Sequence, residues 1–424
     1  MSRSFFVHTA LSSAAVATVL LAGCDPICTN GVSKPGQGQV TRSASGTCVQ
    51  LVVTRPDAGE DGGGLPDAGT DGGVCGAGPG WTTQVVDEGI DALTATFVFD
   101  ARGVGHYAYS KNSNLHVGTT RPGDAPTRVW DVWTAYDVTM DVAADGTHHV
   151  LFQQGNNVVY ASDANGTWKS RVLAEGWTGA IALDAQGVPH VLFRRPAPQV
   201  GYLYGTRSAK GEWSLSPIEA LGNSDGIERM AVDANGHVHL VFVRWYGTQS
   251  QVVYASNVSG TWTAEPLEWR LLLNSPRFRI ALEVDPTGQP SLLASDSLGA
   301  SLWVKEATGW KSYGLGAFQS RGPALTRSAF LPDIRYALLD DADMKASTSQ
   351  LVVQTLNGTS TVDTTPPLGL ESLDGGTAFP GPSSVHVDDQ DQVQVGFSYV
   401  HYYYPPDGGA VQTTRGLRYA RYCP

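Results

Sequence analysis

Several kinds of stretch are missing from this chain, and each absence closes off a class of function. There is no basic tract or basic helix: 28 Lys and Arg stand against 40 Asp and Glu, for a net charge of −12. A nucleic-acid partner needs a cationic stripe, so that class is excluded. No apolar run reaches the ~20 residues of a bilayer-spanning helix. The nearest, residues 10–21, is shorter and is interrupted by Ser12, Ser13 and Thr18. There is no Gly-rich phosphate loop, no Ser–His–Asp order with a nucleophile elbow, and no spaced Cys/His set, so neither cofactor nor metal is expected. Helical periodicity between the apolar runs is also absent, which argues against alternating βαβ units.

The N-terminus carries a different signal. Arg3 gives a weakly basic start, a short apolar segment follows, and Leu21-Ala22-Gly23 precede Cys24. This pattern describes an export signal rather than a span. Leu-Ala-Gly-Cys resembles a bacterial lipobox, which implies that residues 1–23 are removed and that Cys24 is acylated. Two or more acyl chains anchor a protein stably without a spanning helix. The expected location is therefore the cell envelope: the outer membrane or cell surface, with the inner membrane as an alternative because Asp25 follows the Cys.

Cysteine is scarce, five in all. With Cys24 taken by lipid, Cys28, Cys48, Cys75 and Cys423 remain, an even number suited to an oxidising compartment. Four cysteines allow three pairings; Cys28–Cys48 and Cys75–Cys423 are favoured. Residues 24–55 read as a short Cys-containing segment. Residues 56–74 read as a flexible tether, because PDAGEDGGGLPDAGTDGG cannot bury enough apolar surface to fold. The main domain then runs from 75 to 424.

That domain repeats itself. VFDARGVGHYAY (98–109), ALDAQGVPHVLF (182–193) and AVDANGHVHLVF (231–242) each read as strand, Asp-x-x-Gly turn, then His on a second strand. DVAADGTHHVLF (141–152) keeps Gly146 and His149 but has Ala143 for the Asp, and weaker copies stand at 283–294 and 386–397. A degraded copy lies at 328–339. After these hairpins come a third strand and a turn ending in Gly and Trp: VVYASDANGTW (158–168), LYGTRSAKGEW (203–213) and VVYASNVSGTW (252–262). Four short strands per unit with Gly turns and one aromatic describe a β-propeller blade. The expectation is an all-β propeller of seven four-stranded blades, with six as the alternative if the degraded units are misjudged. The last unit stops after a third strand, LRYARYC (417–423), while Trp81 opens a strand resembling a fourth. An N-terminal strand that completes the last blade would close the ring and remove its exposed edges.

The Ser-x-x-x-Gly-Thr-Trp phrase at Ser162–Trp168 and Ser256–Trp262 is similar to the Asp-box of sialidase-like propellers, with Asp163 directly after Ser and Asn257 in its place in the later copy. The resemblance implies a propeller whose box is a structural turn between outer strands. A sialidase-type site would need three arginines, a Tyr–Glu nucleophile pair and an acid Asp. Phe278-Arg279-Ile280 stands nearest to that family's opening motif, but Ala281 follows it where the family has Pro.

Two sets of residues are candidates for ligand binding. Two positions before each turn Asp, the innermost strands carry Val98, Asp141, Ala182, Ala231, Glu283, Arg327 and His386, with Arg229 on the fourth unit. Charges on core strands are tolerated only when paired or wet, so these read either as ion pairs plugging the channel or as a site at its mouth. The second set is aromatic: Trp133, Tyr136, Trp177, Trp245, Tyr246, Trp269 and the run 401–404, which includes Tyr402 and Tyr403. These lie on connections sharing one end of a propeller and suit sugar rings or a protein interface. The histidines His106, His149, His190 and His239 fall on equivalent strands of different blades, too far apart to share one ion at ~2 Å bonds. Each is expected to satisfy its own Asp turn. The reading is a monomeric, lipid-anchored, non-enzymatic binding or scaffold module for a glycan or envelope protein. The alternative is a degenerate sialidase-like hydrolase or lyase using Asp141 and Glu283.

Overall fold

In the computed structural model the chain divides into two compact units, Met1–Ala68 and Gly69–Pro424. The structure describes Val40–Arg42, Cys48–Gln50 and residues 79–424 except 92–94, 132–134, 197–200, 222–226, 247–248, 273–278, 296–298, 316–323, 328–333, 341–349, 358–359, 366–367, 370–376, 389–391 and 404–408; on some strands it describes the backbone only. In the first unit Val40–Arg42 pairs antiparallel with Cys48–Gln50. The export signal, Cys24, Cys28, Cys75, the tether and Trp133 lie outside the described residues. No described helix is long and apolar enough to cross a membrane.

The second unit is a β-propeller of antiparallel sheets. Blade 1 comprises Thr96–Phe99, Gly105–Lys111, Asn114–Thr119 and Thr127–Asp131. Blades 2 to 5 follow at 135–175, 177–217, 227–272 and 279–314, each four strands paired in chain order. The closing blade takes Thr377–Val387, Val393–Tyr403 and Gln412–Cys423 from the C-terminal part of the propeller and Gly80–Glu88 from its N-terminal part. Gly80 pairs with Cys423 and Trp81 with Tyr422, as the truncated last repeat foretold.

Among the described residues the regular four-stranded blades number six, the count held as the alternative, and the degraded copy forms a further sheet of the ring. Its strands Ala324–Arg327, Ile334–Asp340, Gln350–Asn357 and Ser360–Thr364 are joined by Leu368–Gly369, which pairs with Gln350–Leu351 and makes that sheet five-stranded. The first strand of each sheet contacts the first strand of the next, and that of the closing blade contacts Thr96–Phe99, so the ring is complete.

The second strands are continuously apolar because each blade is covered on both sides. In His148–Gln154, Val150 and Phe152 pack against Ala108, Leu115 and Val117 of blade 1. Leu151 points the other way, to Ile181, Val191 and Phe193 of blade 3. The two-residue side-chain period therefore feeds alternate residues into alternate boundaries. The glycine of the Asp-x-x-Gly turn takes positive φ, +73° at Gly187 and +80° at Gly236, which explains why the repeat keeps glycine there.

Candidate functional site

The two candidate sets lie at opposite ends of the ring. Asp141, Glu283, Arg327 and His386 stand at or within one residue of the last position of their innermost strands, next to the Asp turns. Arg229 is third on Ile227–Val232. Trp177 begins its strand, while Trp245, Tyr246, Tyr402 and Tyr403 end theirs, at the connections between second and third strands. Trp269 lies near the end of Thr263–Leu272, at that same end of the ring. Arg327, Tyr136, Trp245, Tyr246, Trp269, Tyr402 and Tyr403 are described by their backbone alone.

Asp141 is the best-defined of the charged set. Its Oδ1 accepts the amide of Val142 and its Oδ2 the amide of Leu183 on blade 3, both at 2.8 Å. Innermost strands have no partner on their inner side, so edge amides would otherwise be orphaned. The carboxylate thus fastens two blades at the channel. Burial pushes its pKa up to about 6, against the lowering effect of those two amides. Ala182 occupies the equivalent place on blade 3 and packs into the core instead. Arg229 and Glu283 are partly buried and neither is without a partner. His386 stacks on Phe99 of blade 1 at 5.7 Å, and burial lowers its pKa.

At the other end Trp177 is 46 % exposed, the one aromatic among the exposed large hydrophobic residues described. Its register partner is Arg194, whose guanidinium carbon lies 5.8 Å from the indole centroid. Gly176 precedes it, and a side chain there would come within 2.3 Å of the Arg194 carbonyl oxygen. The close approach of the two strands is what sets the indole beside the arginine.

The repeat histidines serve their own blades. His149, His190 and His239 place Nδ1 at 2.7, 2.6 and 2.6 Å from the hydroxyls of Tyr160, Tyr204 and Tyr254. Nε2 of His190 and His239 faces the turn carboxylate of Asp184 or Asp233 at 3.5 and 3.7 Å. Where Ala143 replaces that Asp, burial takes His149 down to about 4. The other oxygen of each Asp closes the turn: Oδ1 of Asp184 accepts the amides of Gln186 and Val188. The tyrosines extend the chain to the next blade, because Tyr160, Tyr204 and Tyr254 meet Trp213, Trp262 and Trp310 edge-on at 4.9 to 5.5 Å. Burial raises Tyr204 and Tyr254 to about 12. The imidazoles thus hold each tyrosine within its own blade, and the tyrosine–tryptophan contact joins that blade to the next.

Sequence reasoning missed these tyrosines, although the Tyr of VVYAS and LYGT is visible in each copy. The signal that finds them is register: each lies two residues before the residue paired with its His. The box-like turns are likewise fasteners. Asp163 Oδ1 accepts the amide of His148, and Asn257 Oδ1 that of Val238, both at 2.7 Å. One oxygen suffices, so Asn can stand for Asp. Among the described residues no three His, Cys, Asp or Glu are grouped to hold a metal ion.

No protein-family model matches the chain, and no curated protein does. Among solved structures it is similar to the polysaccharide lyase Uly1, at 12 % identity over 75 % of this chain and 87 % of that one, with a TM-score of 0.43. It is similar to a protein of unknown function from Dyadobacter fermentans at 15 % identity, covering 79 % and 98 %, TM-score 0.41. A puromycin-hydrolysing peptidase from Mycobacterium tuberculosis is 12 % identical over 78 % of this chain and 56 % of its own, TM-score 0.47. The propeller architecture rests on the order of the sheets and not on these likenesses.

Proposed function

We propose that the chain is a lipid-anchored, non-enzymatic binding module of the cell envelope, and that the end of the ring bearing Trp177 takes a glycan or protein ligand. The observation carrying this is Trp177 itself. A large indole left 46 % exposed beside a guanidinium, at an end where the backbone also places Trp245, Tyr246, Trp269, Tyr402 and Tyr403, offers a π-surface with a polar neighbour. The C–H face of a sugar stacks on such a surface, and Trp and Arg equally anchor protein interfaces. The lipobox-like Cys24 would supply the anchor and residues 56–74 the reach. A Cys75–Cys423 cystine would pin the ring's seam, a placement supported by the pairing of Cys423 with Gly80.

A screen for thermal stabilisation by mono- and oligosaccharides tests the reading, since a ligand at a hundred times its Kd stabilises by about 2.7 kcal/mol. A rise in Tm with one sugar class that disappears in Trp177→Ala supports a surface lectin. No rise with any sugar removes the glycan and leaves a protein partner. The hydrolase or lyase alternative draws on Asp141, because a carboxyl holding its proton to about pH 6 resembles a general acid. It requires glycan turnover that Asp141→Ala with Glu283→Ala abolishes without unfolding the protein.

A further inference from the structure

Blades 1 and 2 meet through a row of four titratable side chains. Nδ1 of His106, on blade 1, lies 2.9 Å from Nε2 of His148, on blade 2. Beyond His148, its Nδ1 is 2.7 Å from Oδ2 of Asp163. Beyond His106, its Nε2 faces Oδ2 of Asp100 at 3.5 Å. His106 is buried and His148 nearly so, with side-chain exposures of 2 % and 13 %.

Two substitutions in the repeat create this row. Blade 1 has Val117 at the register position where blades 2 to 4 have Tyr160, Tyr204 and Tyr254, so His106 has no hydroxyl of its own. Before the repeat histidine the other three copies have Gly105, Pro189 and Val238; blade 2 has His148. The neighbour's imidazole takes the place of the missing tyrosine.

Counting protons along the row gives its chemistry. Three gaps separate Asp100, His106, His148 and Asp163, and each gap attracts only if one proton lies in it. Two neutral imidazoles bring two protons. One gap then always sets a nitrogen lone pair against another acceptor. A third proton fills every gap and puts one positive charge between two carboxylates. A fourth would force two N–H groups together across 2.9 Å. The row therefore accommodates one extra proton and no more.

The surroundings bear on where that charge rests. Burial works to raise both carboxyls, but the hydrogen bonds they accept outweigh it and hold Asp100 and Asp163 below the usual carboxylate range. Arg102 reaches Asp100 Oδ2 at 3.0 Å. Arg121 also faces His106, and His149 stands beside His148 and Asp163. Burial lowers His106 against the pull of Asp100, and the charges of His148 and Arg121 lower it further. Charge on His106 is therefore disfavoured by its burial. At the other end of the row the Trp168 ring stacks on His148 at 6.0 Å.

We propose that His106 and His148 form a one-proton clasp between blades 1 and 2, tight while the row holds its extra proton and loosened as rising pH removes it. It belongs to the Asp-turn end of the ring, opposite Trp177, and does not depend on what that end binds. The third proton attracts across every gap only in the folded row, so the stability it gives is complete below the free imidazole value of about 6.5 and is lost as pH rises beyond it.

The test is the thermal unfolding of the full chain at pH 6 and pH 8, for the native protein, His148→Gln and Asp163→Asn. The native protein should exceed His148→Gln in Tm by about 2 °C or more in excess at pH 6 relative to pH 8. Asp163→Asn, which removes one flanking anion, should shrink that pH-dependent part. A gap of equal size at both values overturns the proposal, because a merely packed pair would lose stability alike at any pH. Ring nitrogen NMR of the native protein labelled on histidine avoids reliance on variants that fold poorly. One imidazolium and one neutral ring at pH 6, the signals assigned by their loss in His148→Gln and in His106→Gln, supports the clasp. Two neutral rings or two imidazolium rings at that pH defeat it.

Discussion

At the scale of single residues, Asp141 shows how a charge can sit on a core strand without a cation. Two edge amides hold its oxygens, yet burial dominates and its pKa rises to about 6. The unfolded chain releases that proton near the ordinary carboxylate value of about 4. Stability contributed by the protonated form is thus complete below about pH 4 and gone above about pH 6, on the order of 2 kcal/mol. Asp141→Asn cannot ionise, so its unfolding free energy, measured in urea at intervals from pH 4 to 7, should not fall with pH in this way. Parallel profiles for the two proteins would defeat the assignment. None of this was readable from the sequence, which marked Asp141 as a core-strand charge, a candidate for ligand binding and, in the alternative, an acid. The two amides that receive it come from different blades, and a linear pattern does not say which strand edges share a channel.

At the scale of the element, the repeat is a set of short polar ties on a continuous apolar strand. The turn after the third strand sends one side-chain oxygen back to the start of the second. Asn257→Ala should leave the Val238 amide unsatisfied and cost about 1–3 kcal/mol, while Asn257→Asp should stay within about 0.5 kcal/mol of native. Equal losses in both variants, read from denaturant midpoints, would show that packing rather than the bond holds the turn. Much of this level was legible. Asp-x-x-Gly, the buried His and the Gly-Thr-Trp phrase recur at spacings that only a four-stranded unit explains. The divided loyalty of each strand was not, because alternate residues of an unbroken apolar run look alike until the neighbouring blades are known. The copy at 328–339 has lost its turn signature but not its apolar alternation, so Ile334–Asp340 is a strand whose sheet has acquired a fifth member.

At the scale of the molecule, the seam between blade 1 and the closing blade is where the ring is least forgiving. Phe97 lies flat over Gly396, and a methyl group there would fall 2.1 Å from the ring. Gly396→Ala should cost about 1–3 kcal/mol as the blades shift apart. Phe97→Leu in the same chain should recover part of the loss, and additive losses in that double-mutant cycle would remove the contact from the seam. Ring closure itself was foreseen from the sequence, since a unit lacking its fourth strand and a lone strand upstream complete each other. That closure has a consequence in time. Gly80–Glu88 finds its partner in Gln412–Cys423, and Thr82 bonds the carbonyl of Arg421 across 339 positions of chain. A chain made from its N-terminus produces this strand near the beginning of the propeller and cannot place it until Gln412–Cys423 has emerged. Until then its edge and the exposed Val85 wait unpaired. Blades 1 to 5 can assemble in order of synthesis, but the ring is finished in a single late event that joins the oldest part of the fold to the newest.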